Sequence, residues 1–356
     1  MTNDFPAEPG SSQVTLARVA DHAEVSRQTV SNVLNAPHRV REATRQRVEA
    51  AIAELGYQPN RAARALRAQA SRMIGYRIEP IREESLASIQ DRFLHAVADT
   101  GRHADHHLLL IAADDPEAEL ASYKQLFRTG GVDGFVLSEI DYGDPRPAAL
   151  RELGAPFAVF GRTGDDAGHC WADVDNAAGT AAAVDHLVER GHRRIGFVGW
   201  PDGSSVGDRR REGWHAALER HGLLAESRHL EVRSDDSVHE GAHAGRHLLE
   251  RKGRPTAIVA VSDTLAFGAM QSAKALGVDV GEDLALVGFD DTPSARVLGL
   301  SSVRQPIEAI GRAIVDMLLQ RLPGTPGRSD APSEPESRLL APALTVRASS
   351  DMPLPR

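Results

Sequence analysis

The sequence predicts an α/β protein with an all-α head: an N-terminal helix-turn-helix domain, then a body of two lobes built on parallel sheets. Three observations carry that expectation. The first 58 residues hold three short stretches whose apolar residues recur at helical spacing. From residue 73 onward, short apolar strands alternate with amphipathic helices, the order that builds parallel sheets covered by helices. Charge is also divided between the two parts. Up to Arg72 there are 10 Arg and 7 Asp+Glu, while the remainder carries an excess of 12 acidic residues, in a chain of formal net charge −9. A basic head on an acidic body directs only the head toward a polyanion.

A chain of 356 residues exceeds one small core and calls for two or three compact units. Its 41 % hydrophobic and 26 % charged residues are an ordinary globular balance. The longest apolar run, Leu108-Leu109-Leu110-Ile111-Ala112-Ala113, is strand-sized and far short of a membrane span. Residues 1–13 carry Asp4, Glu8 and two prolines and no basic-then-apolar leader, so they read as a disordered N-terminus. The single Cys170 precludes an intramolecular disulfide and any cysteine-paired zinc site. The expectation is a cytoplasmic protein without a cofactor, a metal or a membrane contact.

In the head, residues 14–58, the first helix is marked by Leu16, Val19, Ala20 and Ala23 on one face, and the second by Val30, Val33 and Leu34. Ala23-Glu24-Val25 is the short connection, and Ser26 suits the N-cap of the second helix. A third helix fits 42–55, with Val48, Ala51, Ile52 and Leu55 inward and Gly56 as its terminator. Three helices with a tight first turn make a helix-turn-helix. Such a motif presents the first turn of its second helix to base edges. That turn carries Arg27, Gln28 and Thr29, with Ser31 and Asn32 following. Arginine pairs with guanine, and glutamine or asparagine with adenine, through two hydrogen bonds each. Thr15, Ser26, Asn35, Arg39, Arg41, Thr44 and Tyr57 suit phosphate contacts, which position without specifying. A small helical domain with a polar face for protein contacts would show the same pattern.

The run V-T-L-x-x-V-A-x-x-A-x-V-S-x-x-T-V-S-x-V-L-N, followed by T-R-x-R-V-x-x-A-I-x-x-L-G-Y-x-P-N-x-x-A-R-x-L, removes that ambiguity. It resembles, unbroken from Val14 to Leu66, the head of the lactose/galactose-repressor (LacI/GalR) family. The resemblance implies that 59–72 is a hinge helix and linker. The helix-forming stretch is too short to be helical alone in water, and would order only when two copies pair on an operator. Asn60, Ala63, Arg64 and Arg67 would meet DNA there, and Leu66 would wedge into the central minor-groove step. Arg41 departs from the family, which often has a small hydroxyl residue capping the third helix.

In the body, strands are expected at 73–78, 107–112, 134–137, 157–160, 194–199, 257–261 and 284–288. Helices are expected at 89–100, 117–129, 180–190, 210–221, 239–251 and 263–276. The resemblance extends here as a periplasmic-binding-protein-like core. It implies an N-terminal lobe of 73–174 and 304–322, a C-terminal lobe of 175–303 and 337–348, and three crossovers as the hinge. Ligands of open α/β folds sit beyond the carboxyl ends of the strands, here the cleft between the lobes.

By resemblance, Arg210 with Gly213 and Trp214 reproduces a family R-x-x-G-aromatic helix start whose arginine binds the effector. Arg209 and Arg211 leave that assignment open. Asp290, in V-G-F-D-D, matches an acidic effector contact, and a carboxylate accepts two hydroxyl hydrogen bonds at once. Ser262 is expected to reach the ligand and Asp263 to cap the following helix. Trp200, at the end of G-F-V-G-W, is placed at the cleft mouth to stack on a sugar ring, though packing under a loop serves equally. Arg162 either reaches the cleft or braces a crossover. Trp214 reads as core, His192 as structural, and His103, His106 and His107 as polar surface.

Neither a metal-ligand cluster nor a phosphate loop is present, so no enzyme constellation competes. A transport protein would share the body and lack the head. The reading is a non-enzymatic transcriptional regulator, a repressor, binding a palindromic operator as a homodimer. A small-molecule effector, a sugar, sets its affinity. Relatives that bind nucleobases or nucleosides use the same scaffold, and the sequence leaves inducer and corepressor both open. No heptad extension follows the last strand, so the expected assembly is a dimer.

Overall fold

A computed structural model describes residues 14–57, 70–78, 88–164, 168–322 and 335–352, as two compact units that divide at Gln69. The expected disordered N-terminus 1–13, the hinge residues Asn60, Ala63, Arg64, Leu66 and Arg67, and most of the loop before the last strands lie outside the described residues.

The head consists of α1 (Leu16–His22), α2 (Arg27–Asn35) and α3 (Glu42–Leu55), with a 3₁₀ turn at Pro37–Arg39. Thr15 caps α1, its hydroxyl accepting the Arg18 N–H at 3.4 Å, and Ser26 caps α2, accepting the Thr29 N–H at 3.1 Å. The chain reverses between them at Glu24, whose φ of 51° lies in the left-handed region. Gly56 ends α3 at φ 62°, where any side chain would be strained. Val19, Ala20, Ala23, Val30, Val33, Val48, Ala51 and Tyr57 form the core.

Two of the expected contact residues are largely buried. Tyr57 is 9 % exposed and packs with the head core. Ser31 is 8 % exposed, turned to the inner side of α2 rather than to the outer surface. The Asn35 side chain is outside the described set.

Arg41 stands at the N-cap of α3 and makes no side-chain cap hydrogen bond; Glu42 instead accepts from Arg45 at 2.8 Å and from Gln46 at 2.9 Å. A cap is worth about 1 kcal/mol. The variant Arg41→Ser should therefore slow local opening of α3 about fivefold, read as amide exchange in the full chain. Unchanged exchange would show that the first turn is already satisfied.

The body holds two six-stranded sheets. The first combines β1 (Met73–Arg77), β2 (His107–Ile111), β3 (Gly134–Leu137), β4 (Phe157–Phe160), β5 (Cys170–Val174) and β11 (Ser337–Leu340), in the order β11-β5-β4-β3-β1-β2, all parallel. The second combines β6 (Ile195–Gly199), β7 (Glu231–Arg233), β8 (Ala257–Ala260), β9 (Ala285–Phe289), β10 (Ser301–Arg304) and β12 (Ala343–Thr345), in the order β12-β10-β9-β8-β6-β7. Only β12 is antiparallel to its neighbour.

The helices of the first lobe are α4 (Ser88–His103), α5 (Pro116–Arg128) and α6 (Pro145–Leu153). Those of the second are α7 (Asn176–Glu189), α8 (Ser205–Arg220), α9 (Leu224–Ser227), α10 (Val238–Leu249), α11 (Asp263–Ala275) and α12 (Pro293–Val297). The chain then returns as α13 (Ile307–Leu319), whose Ile307, Ile310, Ile314 and Leu318 pack with Ile74 and Phe93 of the first lobe. The last helix among the described residues is the short α14 (Ala348–Asp351).

The last segment, expected as one strand of the second lobe, is two strands in two sheets. Residues 337–340 extend the first sheet beside β5, and 343–345 extend the second beside β10. Pro342, which cannot donate to a ladder, stands at the break. The chain thus passes between lobes at 174–176, 304–307 and 340–343.

His192, at the turn into β6, is 3 % exposed and its Nδ1 lies 3.0 Å from Thr256 Oγ1. Burial, with a smaller repulsion from His186, lowers its pKa to about 4. The folded value lies below the unfolded one, so the stability it contributes is present above about pH 6.5 and lost as pH falls toward 4. His192→Gln should remove on the order of 3 kcal/mol of this acid sensitivity, seen as a flatter melting temperature between pH 7 and pH 4.5. Parallel pH profiles would refute it.

Candidate functional site

In the head, Arg27 and Gln28 are exposed on the first turn of α2, with Thr29 and Asn32 half-buried behind them. Gln28 Nε2 donates to Asn32 Oδ1 at 3.1 Å, which fixes both amides before any contact with a base edge. Arg39 and Arg41 are exposed at either side of Val40, and Thr15 is exposed at the start of α1. Thr44 is half-buried in the first turn of α3.

In the body, the carboxyl ends of β6, β7, β8 and β9 deliver Trp200, Asp236, Ser262 and Asp290 to one place, and α8 brings Arg210. Helix α8 starts at Ser204, whose hydroxyl accepts the Gly207 N–H at 3.3 Å. One turn on, Arg210 is 3 % exposed. Its Nε donates to Asn176 Oδ1 at 2.8 Å, its Nη1 donates to the Val261 carbonyl at 2.5 Å, and Nη1 lies 3.7 Å from Asp290 Oδ1. The guanidinium carbon sits 3.6 Å from the Phe289 ring centroid and 5.3 Å from that of Trp200.

Asp290 has φ 111°, a strained conformation for a residue with a Cβ, held by its N–H donating to the Val303 carbonyl at 2.8 Å and by Gln305 Nε2 donating to Oδ1 at 2.5 Å. Burial, opposed by Arg210 and reinforced by Asp263 and Asp236, pushes its pKa up to about 8. The arrangement is a flat cation between an aromatic floor and a polarised carboxyl, able to donate and accept hydrogen bonds at adjacent positions. The three consecutive arginines separate cleanly. Arg211 Nε donates to Glu231 at 2.6 Å, and Arg209 Nη1 lies 3.8 Å from Asp173, leaving Arg210 as the one at Asp290.

Several expectations change. Ser262 is 1 % exposed and donates its hydroxyl to Asp236 at 2.5 Å while accepting the Leu265 N–H at 3.1 Å, so it caps α11. Asp263, expected as that cap, is fully buried; it accepts from Ser302 Oγ at 2.6 Å and from the Thr292 N–H at 2.7 Å. Burial raises its pKa to about 6. Arg162 donates to Asp173 at 2.9 Å and braces the β4–β5 edge. Trp200 is half-buried against the second-lobe core, its indole N–H without a protein acceptor, and Trp214 is wholly core.

Sequence reasoning missed Asn176, Asp236 and Gln305, which complete the site from a crossover, a strand end and a second crossover. It also missed a link across the cleft: the Ser205 N–H donates to Asp141 at 2.5 Å, and Ser205 Oγ donates to the Ile140 carbonyl at 3.1 Å. Asp141 follows β3 of the first lobe and Ser205 begins α8 of the second, so this pair joins the lobes.

Among the described residues, no helix is long and apolar enough to cross a membrane. Residues 15–60 match the family model for bacterial regulatory proteins of the lacI family, and 184–350 match that for a periplasmic binding protein-like domain. The HTH-type transcriptional repressor PurR of Salmonella paratyphi B is 32 % identical over 317 residues, covering 86 % of this chain and 90 % of that protein. A solved complex of the transcriptional regulator CelR with cellobiose is 30 % identical, covers 94 % of this chain and 99 % of its own, and superposes with a TM-score of 0.70. The lac repressor dimer bound to operator and the anti-inducer ONPF is 28 % identical, covers 95 % and 99 %, and superposes with a TM-score of 0.79.

Proposed function

The chain belongs to the LacI family of bacterial regulatory proteins, as a DNA-binding transcriptional regulator with a ligand-binding core, and from this we propose that it is a sugar-responsive repressor. It binds a roughly palindromic operator as a homodimer in the cytoplasm, and its effector lies between the lobes. The observation that carries this reading is Arg210 stacked on Phe289 beside Asp290 and Trp200, at the strand ends of the second lobe. A pyranose presents hydroxyls in a ring and an apolar C–H face; the charged and carboxyl groups meet the first, the indole the second. The solved CelR complex holds cellobiose, which supports a sugar as the effector.

Arg27, Gln28 and Asn32 would read bases, while Arg39, Arg41, Thr15 and Thr44 would hold phosphates. Effector binding would act by shifting a population between lobe arrangements, to which the Asp141–Ser205 link and the Gln305–Asp290 hydrogen bond both belong. Through the crossover that carries Gln305, occupancy at Asp290 is passed to α13 of the first lobe. The domain limits follow: head 14–58, hinge 59–72, first lobe 73–174 with 304–322 and 337–340, second lobe the rest up to 348.

The test is fluorescence anisotropy on a labelled palindromic promoter fragment, with and without cellobiose and a panel of other mono- and disaccharides. Binding that falls with salt and that one sugar abolishes or tightens is expected. Operator binding that responds to a nucleoside and to no sugar would overturn the effector class. A stable tetramer in sedimentation would overturn the dimer.

A further inference from the structure

Helix α10 begins Val238-His239-Glu240-Gly241-Ala242-His243, which places two histidines four residues apart on one helical face. Both are exposed. Their Nε2 atoms share a hydrogen bond at 3.1 Å, one ring N–H donating to the other ring, with the rings 4.5 Å between centroids and 82° between planes. An ion bound by two imidazole nitrogens at about 2.05 Å, with a tetrahedral-to-compressed angle of roughly 97–109°, sets those nitrogens about 3.1–3.4 Å apart. The pair already stands at that spacing.

The backbone beneath it is stiff. Gly241, Ala244, Gly245 and Leu248 are buried on the inner face of α10, and a Cβ at Gly241 or Gly245 would collide with α11. The first turn is pinned by Ser237, whose hydroxyl accepts the Glu240 N–H at 3.1 Å. The nearest basic side chain on the same helix, Arg246, is turned to Glu250 at 3.1 Å.

We propose that His239 and His243 form a binding site for a divalent late first-row cation, Zn²⁺, Cu²⁺ or Ni²⁺, with water in the remaining positions. Imidazole nitrogen is the ligand these ions share, and neither Mg²⁺ nor Ca²⁺ favours it. The spacing is that of an H-E-x-x-H helix, whose hydrolytic use needs a third protein ligand. Among the described residues no group of three or more His, Cys, Asp or Glu is gathered for a metal. The site is therefore one for binding, with no hydrolytic step attached, and it stands independently of the effector cleft.

The experiment is a Zn²⁺ titration of the full chain against a chromophoric chelator, paired with Cu²⁺ electron paramagnetic resonance. One ion per chain is expected at micromolar metal, with a Cu²⁺ spectrum showing two equivalent nitrogens. His239→Ala and His243→Ala should each weaken binding at least tenfold, while His247→Ala, one turn further on, leaves it unchanged. All three positions are exposed, so circular dichroism of the variants should match the parent. Wild-type affinity in either of the first two variants, loss of the ion in His247→Ala alone, or no uptake at millimolar Zn²⁺ would each overturn the site.

Discussion

Arg210→Met is expected to leave operator binding at its wild-type strength and to abolish the effector's influence on it. Methionine keeps an unbranched apolar stem against Phe289, where the guanidinium carbon now sits 3.6 Å from the ring centroid, so the packing survives. What is lost is the cation that donates to Asn176 Oδ1 and the Val261 carbonyl and faces Asp290. A hydrogen bond to a charged group is worth about 1.5–3 kcal/mol, so losing one from the guanidinium to an effector should weaken it by roughly ten- to a hundredfold. The neighbours give the control. Arg211 is spent on Glu231 at the edge of the lobe, and Arg211→Met should leave the effector response unchanged. Arg209 lies by Asp173 and the Arg162 carbonyl, so Arg209→Met should alter the response only modestly. Operator anisotropy across an effector titration reads all three. A full response in Arg210→Met, or its loss in Arg211→Met, would remove Arg210 from the site.

The head was legible because its determinants are local. Ser26 before an apolar helical run, Gly56 after one, and the alternation of Val19, Val30 and Val48 place its helices within a residue or two. Ser31 on α2 and Tyr57 just after α3 are largely buried, a matter of packing that residue type alone does not reveal. In the body, strands made of apolar runs could be read and those made of polar residues could not. β10 is Ser-Ser-Val-Arg, yet Ser301 and Ser302 are fully buried, satisfied by Arg347, Ser349, Ser350 and Asp263 from distant segments. The same holds for β7, Glu-Val-Arg, whose Glu231 pairs with Arg211 and Arg233. The site divides in the same way. Arg210 and Asp290 stand in motifs, whereas Asn176 and Gln305 lie on crossovers, and their role exists only once two lobes are folded. Ser262 was placed by its strand end, whereas the capping of α11 by its hydroxyl and the hydrogen bond to Asp236 depend on the fold.

Gly213→Ala should destabilise the second lobe about as much as truncation of a large core side chain, and should cost effector binding as well. Helices α7 and α8 cross where Gly213 meets Ala177: a Cβ on Gly213 would be driven into the Ala177 carbonyl oxygen and within 2.8 Å of its Cα. The obstacle is backbone, so no rotamer change relieves it, and the helices must separate by a large fraction of an ångström. Overpacking of this kind costs about 3 kcal/mol, which for a lobe of this size lowers the melting temperature by roughly 6–12 °C. The displacement also has a direction. Ala177 follows Asn176, whose Oδ1 accepts from Arg210 Nε at 2.8 Å, so pushing α7 away pulls the acceptor off the guanidinium. Gly268→Ala separates the two consequences. Its Cβ would be driven into the Val238 carbonyl oxygen and the Ala242 nitrogen of α10, a steric conflict of equal severity that lies away from Asn176 and Arg210. Both variants should melt early, and at a temperature where both remain folded only Gly213→Ala should show weakened effector binding. A Gly213→Ala protein that melts with the wild type would mean that the α7–α8 crossing is loose. Equal effector loss in the two variants would mean that the glycine serves the stability of the lobe and not the placement of Arg210.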